Sequence, residues 1–250
     1  VIINTCSVRQ SAENRVFGLI NNLTKQETTN RRRQKIVLTG CLLRYGVTDL
    51  KKKLPRVDEF LRMEDIGFDS EAIREDEIHA WISIMEGCNQ FCTYCVVPYA
   101  RGREKSRPFE EIICEVEELV KRGYREITLL GQNVNAYGKD LQHEITFAGL
   151  LKTLNEIPGL EKIKFLTSNP WDLTDDIIQS IKLPKVEKYL HLPVQSGDDE
   201  ILKRMNRPYT VKEYLSLINK TREEIPEIKI GTDIIVGFPG ETEEQFQNTV

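Results

Sequence analysis

Apolar, β-branched stretches alternate with amphipathic ones along the 250-residue chain, and that alternation restricts its fold more than any other feature. Two parallel strands need a crossover between them, and a helix supplies it. Near the start, residues 1–3, 35–39 and 57–61 read as strands, with helices over 11–23 and about 48–54. Val16, Ile20 and Leu23 share one face of the first helix. Further on, 80–85, 126–130, 162–167, 188–192 and 228–236 form a second series of strands. Amphipathic stretches separate them; in 109–123, Ile112, Val116, Leu119 and Val120 line one side and Gly123 offers a stop. The class is α/β, with a partial parallel domain over 1–70 and a linker over 71–78 inside the acidic run 63–77. The second domain, 79–250, reads as an incomplete barrel or an open sheet cut short. The chain opens on a strand-like run and closes in a helix-like one, which predicts a piece of a longer protein.

No apolar run approaches the roughly 20 residues of a membrane span, so a cytoplasmic protein with no membrane partner is expected. A net charge of -4 gives no global field for nucleic acid, and no DNA partner is expected. Positive charge is local, in 31–35, 51–53 and 101–107; the first two runs read as solvated faces.

In such folds active sites gather at the carboxyl ends of the strands. GQN (131–133), SNP (168–170), QSG (195–197) and GFPGE (237–241) each follow a predicted strand, and so does EGCNQFCTYC (86–95). That last stretch holds three of the six cysteines, Cys88, Cys92 and Cys95, spaced C-x3-C-x2-C. A disulfide framework does not suit a cytosolic chain of this size. Structural zinc takes four ligands, and only His191, in another strand-like segment, stands as a fourth. Thiolates on a short loop suit a 4Fe–4S cluster, and three of them leave one iron open to substrate or cofactor.

This loop, with Tyr94 before the last cysteine, resembles the radical S-adenosylmethionine superfamily. There the open iron chelates S-adenosylmethionine and the cluster cleaves it to a deoxyadenosyl radical. NTCSVR around Cys6 and TGCLLR around Cys41 resemble the N-terminal domain of the methylthiotransferases within that superfamily. In those proteins three cysteines hold a second 4Fe–4S cluster; the third ligand here is expected upstream of Val1. VPYARGREKSRP, LLGQNVNAYG, HLPVQSG, MNRPYT and TDIIVGFPGET extend the likeness over the chain and are closest to the MiaB type, with Asn169 departing from an expected histidine.

The resemblance implies transfer of a methylthio group to position 2 of dimethylallyl-modified adenosine beside the tRNA anticodon. It also implies a (β/α)6-type core, S-adenosylmethionine, two 4Fe–4S clusters, an electron donor such as flavodoxin or ferredoxin, and an RNA-binding TRAM domain beyond Val250. Cofactor-facing candidates are Tyr94, Gly131, Gln132, Asn133, Gln195, Ser196 and the stretch from Ile235 to Gly237. Arg101, Arg103, Lys105 and Arg107 are weighed as RNA contacts against salt bridges to the following helix. Cys114 is read as a core residue and His191 as a satisfied core or rim histidine. The alternatives are the same chemistry on threonylcarbamoyl-adenosine or on a ribosomal-protein aspartate and, in another class, a zinc-stabilised RNA-binding module.

Overall fold

The computed structural model describes residues 1–7, 10–30, 33–62, 74, 76–141 and 145–250, so the predicted linker lies partly outside the described residues. Contacts divide the chain into two units. The first is Val1–Ala72 with Gly87–Gln90 and Cys95–Arg103, and the second is the remainder.

In the first unit, β1 (Ile2–Thr5), β2 (Val37–Gly40) and β3 (Glu59–Leu61) form a parallel sheet in that order. Helix α1 (Gln10–Asn30) crosses between the first two strands, and α2 (Val47–Lys53) between the second and third. The predicted face of α1 is the one that packs: Val16 and Ile20 are buried with Ile3, Ile36, Leu38, Leu42 and Leu50, and Leu23 covers their edge. Arg33 and Arg56 both pair with Asp58, whose carboxylate also accepts the Ile36 N–H at 2.8 Å, which fixes the entry to β2. Helix α3 (Val97–Arg101) packs within this unit on the 3-10 turn Cys41–Tyr45.

The second unit carries the longer series. Strand β4 (His79–Ser83) pairs in parallel with β7 (Glu126–Leu130), and β7 with β8 (Lys162–Phe165). A parallel bridge, Ile163 to Val186, continues from β8 into the approach to β9 (Tyr189–His191), which pairs in parallel with β10 (Lys229–Gly231). Five parallel strands therefore follow one another in chain order, as an incomplete barrel requires. A short antiparallel pair, β5 (Met85–Glu86) with β6 (Lys105–Ser106), sits at the end of β4.

Between the strands run α4 (Phe109–Lys121), α5 (Phe147–Glu156), α6 (Asp175–Ile181), α7 (Asp199–Arg204) and α8 (Val211–Glu224); α9 (Glu243–Thr249) follows β10. Apolar faces such as Ile112, Val116 and Leu119 on α4 and Leu150, Leu151 and Leu154 on α5 enclose strand residues Ile82, Ile127, Leu129 and Ile163 in one core. Gly123 stops α4 as expected, at φ 105, with its N–H on Val120 O at 3.0 Å.

Two readings are corrected. Cys114, expected in the core, is exposed: it lies two residues from the buried Ile112, about 200° round the helix, and so faces away from that stripe. The predicted strand 228–236 is broken after Gly231 and resumes only as a bridge from Ile234 to Gln195. A side chain at position 231 would meet the Tyr189 hydroxyl, the far end of a side chain that can turn aside. Among the described residues no helix is long and apolar enough to cross a membrane.

Candidate functional site

All six cysteines are free thiols. In the first unit, Thr5 and Gly40 are partners in the parallel register of β1 and β2, so Cys6 and Cys41 leave neighbouring strands at the same level. Gly40 has φ 91, and a Cβ there would lie 2.4 Å from the Thr5 carbonyl oxygen; only glycine lets the strand ends come so close. The Thr5 hydroxyl donates to Thr39 O at 2.6 Å and accepts the Leu42 N–H at 3.0 Å, tying the two ends together. Cys6 is exposed and Cys41 is buried at the start of the 3-10 turn. The far end of that turn is held by Glu13, whose buried carboxylate accepts from Arg44 and the Tyr45 hydroxyl, each at 3.2 Å. Burial works to raise the Glu13 pKa, but the hydrogen bonds from Arg44 and Tyr45 and the Arg44 charge prevail and hold it below the usual carboxylate value.

The C-x3-C-x2-C loop begins directly after β5. Cys88, in the first unit, is buried; its N–H donates to Gly102 O at 3.1 Å, and its sulfur accepts the Gln90 N–H at 3.4 Å. Gly87 and Arg103 touch so closely that a Cβ at 87 would lie 2.0 Å from the Arg103 carbonyl oxygen. Cys95 is half-buried in the same unit. Cys92 and Tyr94 belong to the second unit. Cys92 is buried, and its sulfur faces Arg207 Nη1 at 3.6 Å. Tyr94, 37% exposed, has its phenol pKa raised by burial, with Arg207 opposing the shift and Cys92 adding to it.

Among the described residues no three His, Cys, Asp or Glu side chains converge on a point that would hold a metal ion. The donor set is nonetheless suited to an iron–sulfur cluster: the thiols are unbridged, and two buried sulfurs receive N–H donors of the kind that offset thiolate charge.

At the carboxyl ends of the second unit's strands the sequence candidates fall into two groups. After β7, Gly131 is packed so closely that a Cβ would meet Met85 Cγ at 2.5 Å. Asn133 is fully buried and donates to Asp172 at 2.7 Å, and Asp172 also accepts Lys139. Gln132 Oε1, Asn133 Oδ1 and Ser168 Oγ are buried without a hydrogen-bond partner, all at the ends of the neighbouring strands β7 and β8. Unpaired acceptors and donors collected at one strand end suit a polar ligand.

After β9, Gln195 is buried in the left-handed region at φ 69 and bonds both ways with the β10 extension, its N–H to Asp233 O and its carbonyl from the Ile235 N–H, each at 2.9 Å. Thr167, at φ 65 after β8, shares that strain and donates to Gly131 O at 2.7 Å. Ser196 is fully buried, Ile235 is half-buried, and Gly237 is exposed with its N–H on Glu241 at 2.6 Å. His191 meets Asp233 at 3.2 Å.

Of the basic candidates, Arg107 is engaged by Glu111 and Glu115 on α4, the salt-bridge role weighed for it. Arg103 and Lys105 are exposed and Arg101 is half-buried. Sequence reasoning placed Ser168 on the active rim within SNP but gave it no role of its own, and assigned none to Asp172 or Arg207; the only signal for Arg207 was its place in MNRPYT.

Comparison with known proteins places these features. Residues 82–250 match the radical SAM superfamily, and residues 1–62 match the uncharacterized protein family UPF0004. Over its whole length the chain is 48% identical to a tRNA-2-methylthio-N(6)-dimethylallyladenosine synthase of Clostridium botulinum, covering 61% of that protein. It is 47% identical to the same-named protein of Thermoanaerobacter pseudethanolicus, covering 59%. The chain thus spans about three fifths of the length of these curated relatives. Among solved structures, the cobalamin-dependent S-adenosylmethionine radical enzyme OxsB superposes with a TM-score of 0.65 at 11% identity, over 99% of this chain and 42% of that one. The radical S-adenosylmethionine methyltransferase TsrM from Kitasatospora setae gives 0.55 at 19% identity, over 68% and 33%. These two likenesses concern the fold alone. With a family match that covers the loop's three cysteines and every strand end described in the second unit, the chain belongs to the radical SAM superfamily.

Proposed function

We propose that the protein transfers a methylthio group to position 2 of dimethylallyl-modified adenosine next to the anticodon of tRNA. The observation that carries this reading is 48% identity, along the entire chain, to relatives bearing that activity in their name. The target carbon lies between two ring nitrogens and its C–H bond has no useful acidity, so a general base would fail and a hydrogen-atom abstraction is needed. Cys88, Cys92 and Cys95 would hold a 4Fe–4S cluster through three irons. Bound there, cluster and S-adenosylmethionine together supply the radical chemistry. The orphaned polar atoms of Gln132, Asn133 and Ser168 would meet polar groups of the cofactor, beside Tyr94, while the strained Gln195 and neighbouring Ser196, Ile235 and Gly237 shape the other side. Cys6 and Cys41 would supply two ligands to a second cluster, with which the sulfur to be methylated would be associated.

An unpaired base beside the anticodon can be splayed out without melting a duplex, and Arg101, Arg103 and Lys105 are the candidates to meet its phosphates. An electron donor such as flavodoxin or ferredoxin, and a cytoplasmic location alongside the tRNA, complete the reading. Mass spectrometry of tRNA nucleosides from a strain lacking the gene tests it. The methylthio-dimethylallyl nucleoside should vanish and the unthiolated one accumulate. Its persistence alongside loss of the threonylcarbamoyl derivative would transfer the same chemistry to another substrate.

A further inference from the structure

The segment 204–207, more than a hundred residues beyond the cysteine loop, grips that loop through three hydrogen bonds, two of them to loop backbone. Thr93 donates its N–H to Met205 O at 3.1 Å and its hydroxyl to Arg204 O at 2.9 Å. Asn206, in the left-handed region at φ 58, donates its side-chain amide to Phe91 O at 3.0 Å. Between these contacts lies the Cys92 sulfur, facing Arg207 Nη1 at 3.6 Å.

Arg207 is only 6% exposed, and its recorded partners among the described residues, Tyr209, Cys92 and Pro193, include no carboxylate. A buried guanidinium stays charged and needs an anion close by. Its other neighbours are neutral. Nη2 donates to Pro193 O at 2.9 Å, Nε donates to the Tyr209 hydroxyl at 3.1 Å, and the plane lies over the Trp171 ring with 4.6 Å to its centroid. These contacts hold the guanidinium in one orientation and leave Nη1 aimed at sulfur. Of the groups around it, the Cys92 thiolate is the one that carries negative charge when it binds metal.

From this geometry we infer that Arg207 is a positioning residue for the cluster: its buried, fixed N–H donor on Cys92 sulfur stabilises the extra negative charge of the reduced state and raises the cluster's reduction potential. The inference rests on the reading of Cys92 as a cluster ligand. Hydrogen bonds to cluster sulfurs and nearby charge are among the factors that set such potentials. The site is desolvated, so a unit charge at this distance is weakly screened.

The test uses the protein reconstituted anaerobically with iron and sulfide in a Cys6→Ala/Cys41→Ala parent, so that one cluster is observed. Its midpoint potential is followed by electron paramagnetic resonance. Arg207→Gln should keep the iron and sulfide content but make reduction at a fixed potential about tenfold less favourable, a fall of roughly 59 mV for one electron. Arg207→Lys, which keeps the charge and loses the planar fork, should fall by less. A filled cluster in Arg207→Gln with the parent's potential overturns the inference. If that variant does not fold, Arg207→Lys decides: a potential below the parent's supports the inference and an unchanged one sinks it. Failure of the underlying reading looks different, because Cys92→Ala would then retain the parent's iron and its potential.

Discussion

The cysteines of the two units are set in place by different physics. In the first unit, Cys6 and Cys41 follow residues that face one another in the register of adjacent parallel strands, and Gly40 allows the close approach. Local chain geometry brings them level. In the second unit, Cys92 is fixed from a distance, by Arg204, Met205, Asn206 and Arg207. A site built on register depends on the sheet, whereas a site built on a long-range latch can be tuned without disturbing the strands that carry it.

The largest expected effect comes from removing a cluster ligand. Cys92→Ala should abolish S-adenosylmethionine cleavage completely, as read by deoxyadenosine formation, while thermal unfolding of the apoprotein changes little. Next in size is Gly40→Ala, which drives a Cβ to 2.4 Å from Thr5 O in a backbone region that alanine avoids. It should cost about 3 kcal/mol in denaturant unfolding and remove iron bound through Cys6 and Cys41. Both effects sharpen the contrast, since the first leaves the fold and the second attacks it.

Glu13→Gln is expected to cost about 1–3 kcal/mol, because Arg44 and Tyr45 lose the charged acceptor that anchors the turn after Cys41. Its folded pKa is lowered from the ordinary 4.5, so the stability it contributes is present above that value and is lost as pH falls through the lowered one. The variant should therefore show a shallower loss of stability on acidification. Smallest of all is Cys114→Ala on the exposed face of α4, within about 0.5 kcal/mol and without effect on iron content.

Much of this architecture was legible in sequence, because strands and helices announce themselves through period and punctuation. The stripe Ile112, Val116 and Leu119 and the stop at Gly123 stand where periodicity put them. So do four of the second unit's strands, while the fifth, expected over 228–236, breaks after Gly231. Cys114 was misread because cysteine is often buried, yet its phase on the helix, offset from Ile112, already pointed outward. The spacing of Cys88, Cys92 and Cys95 made the loop's candidate role readable locally. Arg207 was illegible for the opposite reason: its meaning lies in a contact 115 residues away in sequence. Asp172 was missed likewise, and Ser168 was placed only as part of the rim motif SNP, since an orphaned hydroxyl or a carboxylate shared by Asn133 and Lys139 is visible only in the folded chain.

The most direct measurement is iron and acid-labile sulfide, with the visible absorption spectrum, for the Cys6→Ala/Cys41→Ala protein after anaerobic reconstitution. About four irons and four sulfides per chain, all lost in Cys88→Ala, Cys92→Ala or Cys95→Ala, are expected. Stoichiometric zinc with no brown chromophore, or iron that survives each of those three substitutions, would contradict the account.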